Sequence, residues 1–137
     1  MGRLLLFASV ALAALLFSGC NYAPPLQKAK GQVLVDGKNY QVGAREQLLV
    51  IFYPVVEGGQ PRNTYPANVN KDGSFETAGM DGKGIPPGKY HVSVSSPYGG
   101  GAVPIPKALD SHESPIVREI VLGKDTLEPI DISKPAG

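Results

Sequence analysis

The sequence predicts an all-β domain, a two-layer antiparallel β-sandwich of about seven strands, transthyretin-like in outline. Three observations lead there. From Gly31 onward apolar residues recur with period two rather than 3.6, β-branched and aromatic residues gather in short runs, and Gly, Pro, Asn or Asp separates the runs. No stretch has convincing helical spacing. Nor is an internal repeat of roughly 20 to 50 residues visible, so a solenoid or propeller is not supported.

The elements follow in order. Residues 32–35 form a first strand, and Asp36-Gly37 is a strong hairpin turn from which residues 38–42 return. Residues 47–56 are the most apolar run of the domain. Period two sends Leu48, Val50 and Phe52 to one face and Leu49, Ile51, Tyr53 and Val55 to the other, so this strand belongs in the middle of the fold. Pro54 ends regular pairing or marks an edge, and Gly58-Gly59 is a turn. Residues 65–69 and 74–77 flank Asn70-Lys71-Asp72-Gly73, which reads as a second hairpin.

After a flexible loop at 79–84, Ile85-Pro86-Pro87-Gly88 has the residues of a type II turn, with Gly88 at positive φ. The next strand has the cleanest alternation in the chain. Tyr90, Val92 and Val94 are expected inward, and His91, Ser93 and Ser95 toward solvent. Gly and Pro recur over 96–115, a long surface excursion with a short pairing near 103–105. Residues 116–122 and 126–132 close the domain around Gly123-Lys124-Asp125, and Pro129 makes the last strand an edge.

The N-terminus has its own chemistry. Arg3 precedes an apolar stretch over 4–17, too short and too closely flanked for a spanning helix, and Leu15-Leu16-Phe17-Ser18-Gly19 leads into Cys20, the single cysteine. This resembles the bacterial lipoprotein signal, with Phe17 where leucine is commonest. The resemblance implies cleavage before Cys20 and acylation, palmitate included, of its thiol. The chain then divides into a signal peptide at 1–19, a lipidated Pro24-Pro25 tether at 20–30, a β-sandwich at 31–133 and a short tail at 134–137. Two or three acyl chains hold a protein firmly on a bilayer, each buried methylene adding about 0.8 kcal/mol. The expected location is the cell membrane or outer membrane, with the domain facing the periplasm or exterior.

Of 137 residues, loss of 19 leaves 118, one domain's worth of chain. The whole sequence has 13 Lys and Arg against 12 Asp and Glu, and Arg3 is the only charge in the leader. Such balance recruits neither nucleic acid nor an anionic surface. With Cys20 acylated, no internal disulfide is expected, and stability rests on the core.

Gly31-Gln32-Val33 with Asp36-Gly37-Lys38, then Val50-Ile51-Phe52-Tyr53-Pro54, Asn70-Lys71-Asp72-Gly73-Ser74-Phe75 and Pro87-Gly88-Lys89-Tyr90-His91-Val92-Ser93-Val94 form a familiar order of motifs. It resembles the carboxypeptidase regulatory-like, transthyretin-like domains, especially the small lipoproteins of planctomycete-type bacteria. The resemblance implies an accessory or adhesive module without a catalytic site. These motifs specify turns and core positions, so they speak to fold more than to activity.

Each candidate for chemistry has a plainer reading beside it. Asn70 and Asp72 could offer oxygens to a calcium ion, but a full loop needs a further acidic ligand, and such residues in turns bond their own backbone. His91 and His112 have only Glu113 as a nearby ligand type, so no metal or other cofactor is expected. Ser111-His112-Glu113-Ser114 has the letters of a hydrolase triad, although sequence neighbours rarely meet as one. The hydroxyisourate hydrolases of the transthyretin fold end in Tyr-Arg-Gly-Ser, whereas this chain ends Lys134-Pro135-Ala136-Gly137. Tyr98-Gly99-Gly100-Gly101 lacks the lysine of a phosphate cradle, and the absence of Trp leaves Tyr65 and Tyr98 as thin support for a sugar platform.

The second apolar face of the central strand needs cover. It comes from the loop at 96–115 or from an envelope protein docking on Leu49, Ile51 and Tyr53. The expected function is a non-enzymatic, lipid-anchored binding or structural module of the cell envelope. The alternative is a ligand carrier or hydrolase using loops at one end of the sandwich, which clustering of His91, His112 and Glu113 in one pocket would favour.

Overall fold

In the computed structural model, which describes Gly19 and residues 23–134, eight strands form two four-stranded sheets with no α-helix among the described residues. The first sheet is built on β1 (Lys30–Val35). It pairs antiparallel with β2 (Lys38–Asn39) and β5 (Ser74–Glu76), and in parallel with β8 (Ile130–Asp131). The second sheet has the order β4 (Tyr65–Asn68), β3 (Leu49–Pro54), β6 (Gly88–Ser95), β7 (Val117–Ile120), antiparallel throughout. The described residues therefore form the expected all-β sandwich, with eight strands, and depart from a purely antiparallel one where β8 joins β1.

Alternation produces the core. Val50 and Phe52 of β3 and Tyr90, Val92 and Val94 of β6 are buried, as is Leu48 just before β3. They meet Val33, Phe75, Ile130 and Ile132 of the other sheet in one cluster. Phe52 is the hub, its ring centre 6.2 Å from that of Phe75 and 5.9 Å, edge-on, from that of Tyr90. Tyr90 continues the chain of rings to Tyr65 at 6.0 Å and donates its hydroxyl to the Pro86 carbonyl at 2.6 Å. Burial, with a smaller contribution from Tyr65, pushes that hydroxyl up to about 12, so it stays a donor.

The turns divide into those that behave as expected and those that do not. Asp36 and Gly37 have φ of 50° and 75°, the signs required of a two-residue type I′ hairpin. Asn70–Gly73 is a turn too, closed by Gly73 N–H to Asn70 O at 2.9 Å. It is not a hairpin, because β4 pairs with β3 while β5 pairs with β1, so this turn carries the chain from one sheet to the other. The turn residues are legible locally, whereas the partner strand is chosen by core packing. Residues 126–132 likewise shrink to a bridge at Thr126 and the short β8, which joins β1 rather than β7.

Gly88 has positive φ, but at 147° it is the first residue of β6, paired with Ile120, and not the third residue of a type II turn. Its environment explains the difference: Ile85 is held to Gln27 by reciprocal backbone hydrogen bonds of 2.9 and 3.0 Å, which draw the two prolines into a cross-sheet connection. Those bonds also move the start of the fold. Gln27 bridges Ile85, and Ala29 is buried and exchanges hydrogen bonds of 2.8 Å each way with Thr77. Residues 27–30, expected as tether, are therefore part of the sandwich.

No strand forms at 103–105. Val103 and Ile105 instead pack as single side chains against the core, followed by a 3-10 turn at Lys107–Leu109 whose Leu109 is fully buried.

Candidate functional site

The loop at 96–115 determines the chemistry of the outer face of the second sheet. Its 3-10 turn is in contact with β6, and Ser114 places its carbonyl oxygen 2.9 Å from His91 Nδ1. His112 lies with its ring centre 6.2 Å from that of Tyr53. The expectation that His91, Ser93 and Ser95 face solvent is thereby corrected. Ser93 is 1 % exposed and His91 and Ser95 are half-buried, because the loop returns across the face that period two assigns to them. Leu49, Ile51 and Tyr53 are likewise half-buried, and Ile51 is paired in register with Ser93.

The same loop closes one side of a cleft of about 290 Å3, lined by Pro54, Val55, Val56, Gly59, Pro61, His91, His112 and Glu113. The three residues singled out from the sequence thus come together. A carbonyl oxygen only accepts, so His91 Nδ1 carries the hydrogen toward Ser114, leaving the other ring nitrogen an acceptor in the neutral imidazole. His112 Nε2 and Glu113 Oε1 are 4.0 Å apart, at the limit of an ion pair, with the Glu113 side chain 84 % exposed. The lining combines apolar Pro54, Val55, Val56 and Pro61 with two imidazoles and the Glu113 carboxylate, an arrangement suited to holding a ligand with both apolar and hydrogen-bonding parts.

The letters of a triad are not assembled. The buried Ser114 hydroxyl accepts the Ile116 N–H at 3.3 Å, and the Ser111 hydroxyl accepts the Glu113 N–H at 3.2 Å, so both serines serve local turns. Among the described residues no three His, Cys, Asp or Glu side chains form a group that could hold a metal.

At the sheet-switching turn, Asp72 Oδ1 accepts from the Ser74 hydroxyl at 2.6 Å and its N–H at 3.0 Å, and Asn70 Nδ2 donates to Ser74 Oγ at 3.0 Å. The hydroxyl bond, then the backbone bond, holds the Asp72 carboxyl below its ordinary range. That is the turn role, with the polar atoms committed to Ser74. Tyr98 is 80 % exposed on its glycine-rich loop and Tyr65 belongs to the core rings, so the two do not share a surface. Cys20, expected as the lipidation site, lies outside the described residues.

The fold and site define a two-sheet β-sandwich with an open cleft between the β3–β4 connection and the loop at 96–115, beside His91 of the second sheet. The chain matches no family model and no curated protein. Among solved structures it is similar to the crystal structure of a DUF3823 family protein from Bacteroides ovatus, with 18% sequence identity and a TM-score of 0.45. The similarity covers 78% of this chain and 44% of that one, so the chain spans less than half of that protein's length.

The cleft was only partly legible in the sequence. His91, His112 and Glu113 could be named, but not Val55, Val56 and Pro61, whose contribution depends on how the β3–β4 connection folds beside the loop at 96–115.

Proposed function

We propose that this chain is a lipid-anchored, non-catalytic binding module of the cell envelope, related in kind to carboxypeptidase regulatory-like domains, with its ligand held in the imidazole cleft. The carrying observation is the bond from His91 to Ser114, which fixes one ring nitrogen and presents the other, beside His112, between Pro54, Val55, Val56 and Pro61. Binding is favoured over hydrolysis because both nearby serine oxygens already accept backbone N–H groups. The clustering of His91, His112 and Glu113 favours the alternative named from the sequence, in its ligand-carrier form, over a purely structural module. Anchorage rests on the run into Cys20, and the outward-facing location follows from the same signal. Leu49, Ile51 and Tyr53 retain partial exposure as a secondary contact face.

Two measurements test this. Labelled fatty acid should be incorporated by the intact chain and not by Cys20→Ser. Affinity capture of envelope components should recover a ligand or partner with the intact lipoprotein but not with the double variant His91→Ala, His112→Ala. Capture undiminished by the double variant would remove the cleft from the proposal.

A further inference from the structure

The strand register collects the connections of the molecule at two ends. Gly88 at the start of β6 pairs with Ile120 at the end of β7, and Tyr90 pairs with Pro54 at the end of β3. The segments beyond these pairs, Val55-Val56 and Val121-Leu122, therefore leave the second sheet at the same end, and Val55 N–H still bonds Lys89 O at 3.0 Å. The N-terminal segment enters there too. Gln27 pairs with Ile85 and accepts the Gly123 N–H on its side-chain oxygen at 2.8 Å, while Leu26 and Met80 line one cleft together with Arg62 and Pro86.

The apolar surface is distributed unevenly. Of the eight large apolar side chains exposed among the described residues, six are at this end: Leu26, Val55, Val56, Met80, Val121 and Leu122. Met80 is 95 % exposed, in the turn between β5 and β6. Such concentration marks a contact surface rather than scattered exposure.

We infer that this end of the sandwich rests on the lipid bilayer, with Leu26, Met80, Val121 and Leu122 as its contact residues. The inference builds on the proposed acylation of Cys20. Because residues 27–30 belong to the fold, only six peptide steps separate Cys20 from Leu26, a span of at most about 20 Å at full extension. The anchored chain thus holds this end, and not the opposite one, within reach of the membrane. Tethering raises its effective concentration at the surface, so a few apolar side chains suffice where they would not bind alone. Charge is mixed, with Arg62, Lys83, Lys89 and Lys124 against Glu57, Asp81, Glu119 and Asp125, so contact should not require anionic lipid. The imidazole cleft, which shares Val55 and Val56 with this end, then opens beside the bilayer surface.

The chain has no tryptophan, so a single one reports its own position. Full-length lipidated Met80→Trp and Leu122→Trp, on phosphatidylcholine vesicles with brominated acyl chains, should be quenched several-fold more than Tyr98→Trp at the opposite end of β6. Both test sites are exposed, so folding is not at stake. Co-flotation with the vesicles establishes anchorage separately. If it fails, acylation of Cys20 is refuted, and a maleimide lipid coupled to the same thiol restores the anchor for the comparison. Equal quenching at all three positions in floated protein would overturn the inference, as would quenching of Met80→Trp that appears only with anionic lipid.

Discussion

His91 Nδ1 lies 2.9 Å from the carbonyl oxygen of Ser114, a residue 23 positions away and fully buried. This bond joins β6 to the loop that covers it and orients the ring in the cleft. Neutral His91 should therefore exist as the Nδ1–H tautomer, with Nε2 unprotonated, which imidazole 15N chemical shifts report directly. His91→Phe should cost about 1 to 3 kcal/mol in urea unfolding, since it leaves a buried carbonyl without its donor. His91→Gln, which can place an amide N–H near the same oxygen, should recover part of the loss. Equal losses for Phe and Gln would mean that packing, not this bond, holds the loop.

Ser93 carries the buried side-chain oxygen left without a hydrogen-bond partner among the described residues. Covered on its outer side by the loop and paired with Ile51 in register, it has an environment suited to an apolar side chain. Ser93→Ala should be neutral to stabilising, by up to about 1 kcal/mol, which corresponds to a rise in Tm of roughly 4 to 8 °C for a domain of this size. Ser93→Asp should be as damaging as Val92→Asp, because a carboxylate is buried unpaired on either face of β6. A thermal melt of the three variants checks both statements.

The contrast at Ser93 shows how far period-two reasoning extends. Alternation assigns each side chain of β6 to a face, and Tyr90, Val92 and Val94 are on the core side as their pattern implies. It does not say whether the other face is wet. That depends on a loop with so many Gly and Pro residues that its path over the sheet has no periodic signal, and on Leu109, one buried leucine in that loop, to anchor it. The same limit explains the turn at Asn70–Gly73. Its residues dictate a reversal of the chain, satisfied through Ser74, but the sheet that β5 joins is settled by Phe75 entering the core beside Phe52. Cleft residues with imidazole or carboxylate side chains, His91, His112 and Glu113, were thus within reach of sequence reasoning, and the apolar ones supplied by the path of the β3–β4 connection were not.

Asp131 ties the first hairpin to the end of the chain. Its Oδ2 accepts the Gly37 N–H at 2.9 Å, its other oxygen accepts from the Ser133 hydroxyl and N–H, and Ser133 Oγ accepts the Asp36 N–H at 2.9 Å. The Ser133 hydroxyl first, then these backbone donors, hold the carboxyl below its ordinary range. A carboxyl whose folded pKa is depressed stabilises the fold above its unfolded value, about 3.9, and that contribution is lost as pH falls through the folded value. Asp131→Ala should lower the urea midpoint at pH 7, and the gap from the unaltered protein should narrow progressively below about pH 4. A gap independent of pH would mean that the carboxylate charge is not what matters there.

Gly31 is the position at which the Phe75 ring lies against the β1 backbone. It pairs in register with Phe75, whose ring lies over it: a methyl group at Gly31 would overlap Cζ of that ring and approach Cε1 and Cε2 to 2.7 and 2.8 Å. Phe75 is 2 % exposed and packs against Phe52 on its other side, so the ring has little room to withdraw. Gly31→Ala should therefore destabilise by overpacking, about 1 to 3 kcal/mol, although alanine is otherwise the gentlest replacement in a strand. Phe75→Leu should also destabilise, by leaving space in the core. In the double variant the added methyl enters part of that space, so the combined loss should fall short of the sum by about 0.5 to 3 kcal/mol, the range of direct coupling between touching residues. Urea unfolding of the four proteins completes the cycle. Strict additivity would show that the loss at Gly31 does not come from the ring that rests on it.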